Sequence, residues 1–454
     1  MNLIFYYEEM KVSLFWEKRA GAARDTTGGL TFLIFFWLWG EFTDKGVIIS
    51  GTDKEIIYNL LSDAWYRILY FVKVMKIVGL IGLLVSTTLA NQLPLVNEPT
   101  LDDLWGEEWP FQGITSFAHL NYTKCLLDRD SNFDIGIIGV PFDTATTYRS
   151  GARFGPKSIR SSSQRQTSLR GFNTRANINP YQNGSIILDC GDIPITPMDN
   201  SIALKQMTMA FEELLINRKR DGEEKPKLIA LGGDHSITLP HLRSLKQIYG
   251  KISVIHFDAH LDTWSPKGYP SYWNSNQSEF THGSMLWMAH NEELINDENN
   301  FHIGIRTRIS GNDLKDFDDD TSQGWTRYSA DDVWINGREG LDEIISNIYH
   351  KIGDSPTFIS LDVDCMDPAF TPGTGTIEPG GMLPREVIYL LRGLERLNLV
   401  GGDVVEVSPS FDNAEVTSTN AAQVVYEILT SMIKSKLYNK WLFRLKKQLI
   451  LFIR

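Results

Sequence analysis

Six side chains in this chain have the types and spacing of a metal centre. Asp258, His260 and Asp262 occupy alternate positions directly after the apolar run Ile252-Ser253-Val254-Ile255. Successive side chains of an extended segment point to opposite sides, so these three share one side. His235 follows a second apolar run, Leu228-Ile229-Ala230-Leu231, and a Gly-Gly turn. Asp362 and Asp364, again two residues apart, follow Phe358-Ile359-Ser360-Leu361. Four carboxylates and two imidazoles suit a hard or borderline divalent ion. The absence of thiolate argues against structural zinc and for Mn, Mg or a two-metal hydrolytic centre. One Asp at a strand exit is ordinarily a cap or a solvated group, whereas six converging donors imply a shared task.

The elements that position these donors follow from the pattern around them. From Phe133 onward, short apolar runs alternate with stretches of helical length, which predicts a three-layer α/β/α fold with a central, mostly parallel sheet. The expected strands include residues 134–140, 186–188, 301–305 and 399–405, besides the three runs that end in ligands. Residues 201–218 carry apolar side chains at helical spacing and 340–352 form a second covering helix. The loop 141–160 is rich in turn residues and becomes helical after Pro156.

GGDHS at 232–236, DAHLD at 258–262 and SLDVDCMDPAFTPGTGTIEPGG at 360–381 resemble the three signatures of the ureohydrolase family of arginases and agmatinases, with agmatinases nearest. The resemblance runs from about residue 134 to about 433. It implies an arginase-like fold and two Mn2+ per subunit, with Asp258 and Asp362 bridging, His235 and Asp262 completing one ion's ligands, and His260 and Asp364 the other's. It further implies that Glu406, in VEVSPSFD, grips a guanidinium through paired hydrogen bonds. By the same resemblance His282, in THGS, relays a proton to the leaving amine, and Asp262 counts among the catalytic groups. Thr374 and Glu378 are expected at the substrate or just behind it. His256 reads as a core residue and Cys365 as a small buried one.

The loop 263–280 should set specificity. It lacks the Ser-Gly-Asn arrangement of arginases and carries Trp264, Tyr269, Tyr272 and Trp273, an aromatic wall suited to an aliphatic or cationic tail. Agmatine, cleaved to putrescine and urea, is the first choice; Lys267 would equally receive the acid of 4-guanidinobutanoate. The competing class is a non-catalytic secreted metal-binding protein.

A formal charge of −12 argues against nucleic acid as a partner and favours small cations. Three cysteines imply no disulfide framework. The apolar stretch 30–39 is too short for a membrane span, and none is expected. Residues 75–90 have the parts of a signal peptide, a cationic start, an apolar centre and a small residue at the cut, though 77–90 would also suit a buried helix or internal anchor. If Met75 is the true start, residues 1–74 are an overextended reading frame or an alternative start, and the protein enters the secretory pathway. Sequons at Asn121, Asn183 and Asn276 agree with that route. Residues 91–133 are expected as an N-terminal arm, 134–433 as the catalytic domain, and the basic, apolar 434–454 as a helix without assigned function. The family usually assembles as trimers or hexamers.

Overall fold

The computed structural model describes residues 70, 73–77, 100–106, 109–217, 225–268, 275 and 277–453. The chain forms two units, Met1–Thr100 and Leu101–Arg454. The apolar stretch 30–39 and most of the signal-like stretch 75–90 lie outside the described residues, as do Tyr269, Tyr272, Trp273 and Asn276 of the specificity loop.

The second unit is built on one eight-stranded sheet of order β2-β1-β3-β8-β7-β4-β5-β6, with every neighbouring pair parallel. The strands are β1 Ile135–Val140, β2 Ile187–Asp192, β3 Lys227–Gly232, β4 Ser253–Phe257, β5 Asn300–Ile305, β6 Trp325–Ser329, β7 Pro356–Asp362 and β8 Asn398–Val405. Alternation sorts their side chains into two cores. Ile137, Ile229, Leu231, Ile255 and Ile359 pack with the helices Gly337–Ile352, Pro384–Gly393 and Val416–Ile453. Ile138, Leu228, Ala230, Val254 and Phe358 pack with Asn200–Leu215, Thr238–Tyr249 and Met285–Asn291. Burial on both faces explains why the strands read as unbroken apolar runs. β6 is the exception: it lies at the sheet edge with only Trp325 fully buried, so the sequence carries no apolar run to announce it.

β3 and β4 are consecutive in the chain yet separated in the sheet by β8 and β7. The four exits bearing the chemical residues therefore lie side by side, where open α/β sheets form their crevices.

One departure from the sequence reading concerns the cysteines. A disulfide joins Cys125 to Cys190, 65 residues apart, tying residues 121–125 to β2, where Thr123 N also donates to Asp189 O at 3.0 Å. A count of three cysteines gave no hint of which two would meet. The helix Val416–Ile453 runs without a break from the body into the basic tail. Among the described residues no helix is long and apolar enough to cross a membrane.

Candidate metal centre and guanidinium subsite

His235 opens a short turn directly after β3, capped by the side chain of Asp234. The turn is tight: a Cβ on Gly233 would meet the carbonyl oxygens of Val140 and Phe142 at 2.5 Å. Ser360 Oγ donates to Asp403 Oδ1 at 2.7 Å, so it can only accept from His235 Nε2, 2.7 Å away. The bare nitrogen, Nδ1, is then left facing Asp258 Oδ2 at 2.9 Å, Asp262 Oδ2 at 3.2 Å and Asp362 Oδ2 at 3.5 Å. On the other side of Asp258, His260 Nδ1 lies 3.1 Å from Asp364 Oδ2 and 3.3 Å from Asp258 Oδ1.

The ligating atoms fall into two groups that share Asp258: His235, His256, Asp258 and Asp262, and then Asp258, His260 and Asp364. Asp362 stands outside both groups but faces His235. All six sequence-predicted ligands are thus brought together. His256, read as core, is indeed fully buried, yet its Nε2 sits 3.0 Å from Asp258 Oδ2.

The donor set fits cations on two counts. His235 Nδ1, His256 Nε2 and Asp258 Oδ2 are buried and make no hydrogen bond, although they crowd within contact distance of one another. Burial, then repulsion from Asp364 and Asp258, pushes Asp362 well above the usual carboxylate range. Burial and Asp258 likewise raise Asp364 to about 6. Like charges held this close call for a positive partner between them. The chemistry of oxygen and imidazole donors suits Mn2+.

Beside this cluster stands Glu406 at the end of β8. Its Oε1 accepts from His235 N at 2.9 Å and lies 3.0 Å from His282 Nδ1. Its Oε2 has no hydrogen bond among the described residues, and Gly375 borders it: a Cβ there would stand 3.6 Å from Oε2 and 2.7 Å from Arg149 O. Glu406 and Asp262 both have positive φ, 64° and 56°, a conformation that side chains other than glycine adopt only under constraint. His282 Nε2 accepts from Thr147 N at 3.0 Å, so the neutral ring keeps its proton on Nδ1, facing Glu406. Burial opposes a charged ring here, but the hydrogen bond and charge of Glu406, with Asp262 and Asp234 behind it, lift His282 to about 9.

Other expected residues take more modest places. The Trp264 indole is half-buried and donates to Asp316 Oδ2 at 2.8 Å. Glu378 Oε1 lies 3.7 Å from both His260 Nε2 and Arg308. Thr374 Oγ1 is buried without a hydrogen bond. Cys365 is a buried free thiol, pushed well up by burial and by Asp364. Sequence reasoning missed Arg306, whose guanidinium binds the carbonyls of Asp364 and Glu378 at 2.6 Å and so braces the loop carrying the ligand. Its only signal was a cation at the exit of β5.

An all-parallel α/β sheet whose central exits gather acids and imidazoles beside a free carboxylate defines a metal-assisted hydrolase class. The arginase family model matches residues 133–430, and the chain belongs to the arginase family. Within it the chain is an agmatinase-like ureohydrolase. A Schizosaccharomyces pombe protein classed provisionally as an agmatinase is 42% identical over 340 residues, 73% of this chain and 85% of that one. The agmatinase of Enterobacter sp. is 39% identical over 69% of this chain and 92% of its own. Among solved structures, proclavaminate amidino hydrolase from Streptomyces clavuligerus superposes with a TM-score of 0.63 at 32% identity, covering 72% of this chain and 100% of that one.

Proposed function

We propose that the protein hydrolyses agmatine to putrescine and urea with two Mn2+ per subunit. The observation that carries this reading is the pair of donor groups sharing Asp258, set beside a carboxylate with one oxygen unengaged. His235, Asp258, Asp262, Asp362, His260 and Asp364 would hold the cations, which when bound supply a nucleophile at neutral pH by acidifying water. Glu406 Oε2 accepts N–H from the guanidinium and orients its carbon toward Asp258 and Asp262. His282, charged below about 9, carries a proton for the departing amine. Glu406 holds its ring at Nδ1, and when the ring is charged Thr147 Oγ1, 2.8 Å from Nε2, can accept the second N–H.

A guanidino acid is the second reading. The exposed Lys267 and the likeness to a hydrolase named for proclavaminate favour it. Urea release from agmatine, arginine, 4-guanidinobutanoate and 3-guanidinopropionate with added Mn2+ decides. Agmatine is expected to lead by kcat/KM; no urea from any of them would return the chain to the metal-binding class.

We also propose an oxidising compartment. A disulfide buried at both cysteines fits one, and the exposed Asn121 offers a sequon. A mobility shift on deglycosylation of the natural protein checks it. A homo-oligomer, trimer or hexamer, is expected by light scattering.

A further inference from the structure

We propose that the Thr147 hydroxyl is the outlet through which His282 exchanges its proton with water, the ring passing a proton between an inner nitrogen on Glu406 and an outer one on Thr147. The inference rests on the hydrolase reading above and adds a residue to it.

The loop after β1 carries three threonines, Thr144, Thr146 and Thr147, and one of them turns its hydroxyl to the site. Thr144 Oγ1 donates to Asn200 Oδ1 at 2.8 Å, and Thr146 Oγ1 donates to Asp143 O at 3.2 Å. Among the described residues Thr147 Oγ1 has a single partner, His282 Nε2 at 2.8 Å. The loop is held on both sides of it. Asn200 Nδ2 donates back to Thr144 O at 3.0 Å, and Ala145 gives its N–H to Asp234 Oδ2 at 3.0 Å while its carbonyl accepts from His282 N at 3.1 Å. Past Thr147, the buried Asp143 collects Gly151 N at 2.7 Å, Arg153 N at 3.2 Å and the Arg153 side chain.

The two sides of the His282 ring differ in what they can do with a proton. On the inner side Nδ1 lies 3.0 Å from Glu406 Oε1, itself buried, and a substrate seated on Glu406 covers that side. On the outer side Nε2 meets Thr147, which is exposed. The Thr147 backbone N–H, 3.0 Å from Nε2, only donates, so it holds the neutral ring but takes no proton from it. The hydroxyl beside it both donates and accepts. When the ring is charged, its Nε2–H points at Oγ1. That N–H bond breaks as the proton passes to Oγ1, and the hydroxyl's own proton leaves to a water or buffer base. The neutral ring keeps Nδ1–H on Glu406, and the hydroxyl ends as it began. The reverse sequence recharges the ring, and neither direction oxidises or reduces anything.

The test is urea release from agmatine by the full chain with added Mn2+, wild type against Thr147→Val, which removes the hydroxyl and keeps the backbone N–H. In dilute buffer kcat is expected to fall about tenfold at unchanged KM, a part of the roughly 10²–10⁴-fold that an acid–base group supplies. A concentrated, hindered dimethylpyridine buffer, a small proton carrier that seats poorly on a metal, should restore most of the loss and leave wild type unmoved. Thr147→Ser, with the hydroxyl returned, should recover kcat to within about twofold of wild type. A Thr147→Val kcat equal to wild type in dilute buffer, or one that falls without answering to the carrier, overturns the proposal. A change confined to KM makes Thr147 a substrate contact and overturns it as well. Each of these leaves the proposed function standing, since wild type still releases urea; no urea from wild type sinks both. Thr147→Ala, which also keeps the N–H, takes the place of Thr147→Val where that variant fails to fold.

Discussion

Two groups of acids on the same sheet behave in opposite ways. At the β2 edge, Asp189 receives Arg160 through both oxygens at 2.8 and 2.9 Å, plus the backbone N–H groups of Phe117 and Gly191. Arg160 reaches on to Asp192 at 2.6 Å across β1, where a Cβ on Gly139 would strike Asp192. At the central exits the carboxylates of Asp258, Asp262, Asp362 and Asp364 pair with no arginine among the described residues, and Asp258 leaves Oδ2 buried and unbonded. The first group is electrically complete, and the second is complete only with cations. A buried acid thus reports structure or chemistry according to whether its partners are already present.

Neutralising one acid in each group should break the two in opposite directions. Asp362→Asn is expected to cut urea release by at least ~10³-fold, since the acidified water depends on the seated cations. The cation-free variant should nonetheless unfold at a higher temperature than wild type at pH 7, because repulsion from Asp364 and Asp258 is relieved. Asp189→Asn should cost about 3–5 kcal/mol of stability by leaving Arg160 with half its partner. Its urea release per folded molecule should hold. Denaturant unfolding and steady-state assays on both variants measure all four quantities. A central variant that loses stability in the cation-free state would erase the distinction.

The next effect is one of pH. His282 is raised from its ordinary 6.5 to about 9. A raised histidine contributes stability that is fully present below about 6.5 and lost as pH rises through about 9. Comparing cation-free wild type with His282→Phe, the gap in unfolding free energy should be about 3 kcal/mol at pH 6 and close by pH 10. Arg160 holds its charge through that window, so an Arg160→Met comparison should show no such closing.

Much of this was legible in the sequence because the chemistry is carried by strand exits. Period-two spacing puts Asp258, His260 and Asp262 together before any fold is known, and the apolar runs name the strands that aim them. What the sequence hid is set by long-range contact. Asp189-Cys190-Gly191-Asp192 also ends a strand with two acids, and only the fold brings Arg160, 29 residues earlier, to satisfy the first. His256 lies within an apolar run and is buried as core, yet its Nδ1 meets His302 Nδ1 at 2.8 Å, 46 residues away on the neighbouring strand. Cys125 and Cys190 meet for the same reason.

Trp264 occupies the middle ground of the comparison, satisfied like the edge acids but placed beside the centre. Its N–H groups are both spoken for: the backbone donates to Gly283 O at 3.2 Å, next to His282, and the indole donates to Asp316 Oδ2 at 2.8 Å. Asp316 also accepts from Ser310 N at 2.7 Å, so one carboxylate fixes the indole against the segment after β5. Asp316→Ala frees the ring without touching any candidate ligand. One hydrogen bond to a charged acceptor in a half-exposed place contributes about 1 kcal/mol, which is about fivefold in binding. If the indole flanks the substrate's tail, KM for agmatine should rise by about that factor while kcat and Mn2+ content hold. Trp264→Phe, which keeps the apolar face and drops the N–H, should match it. A fall in kcat at constant KM would instead make the Asp316 contact a support for the His282 turn, moving Trp264 from the specificity loop to the structural side of the divide.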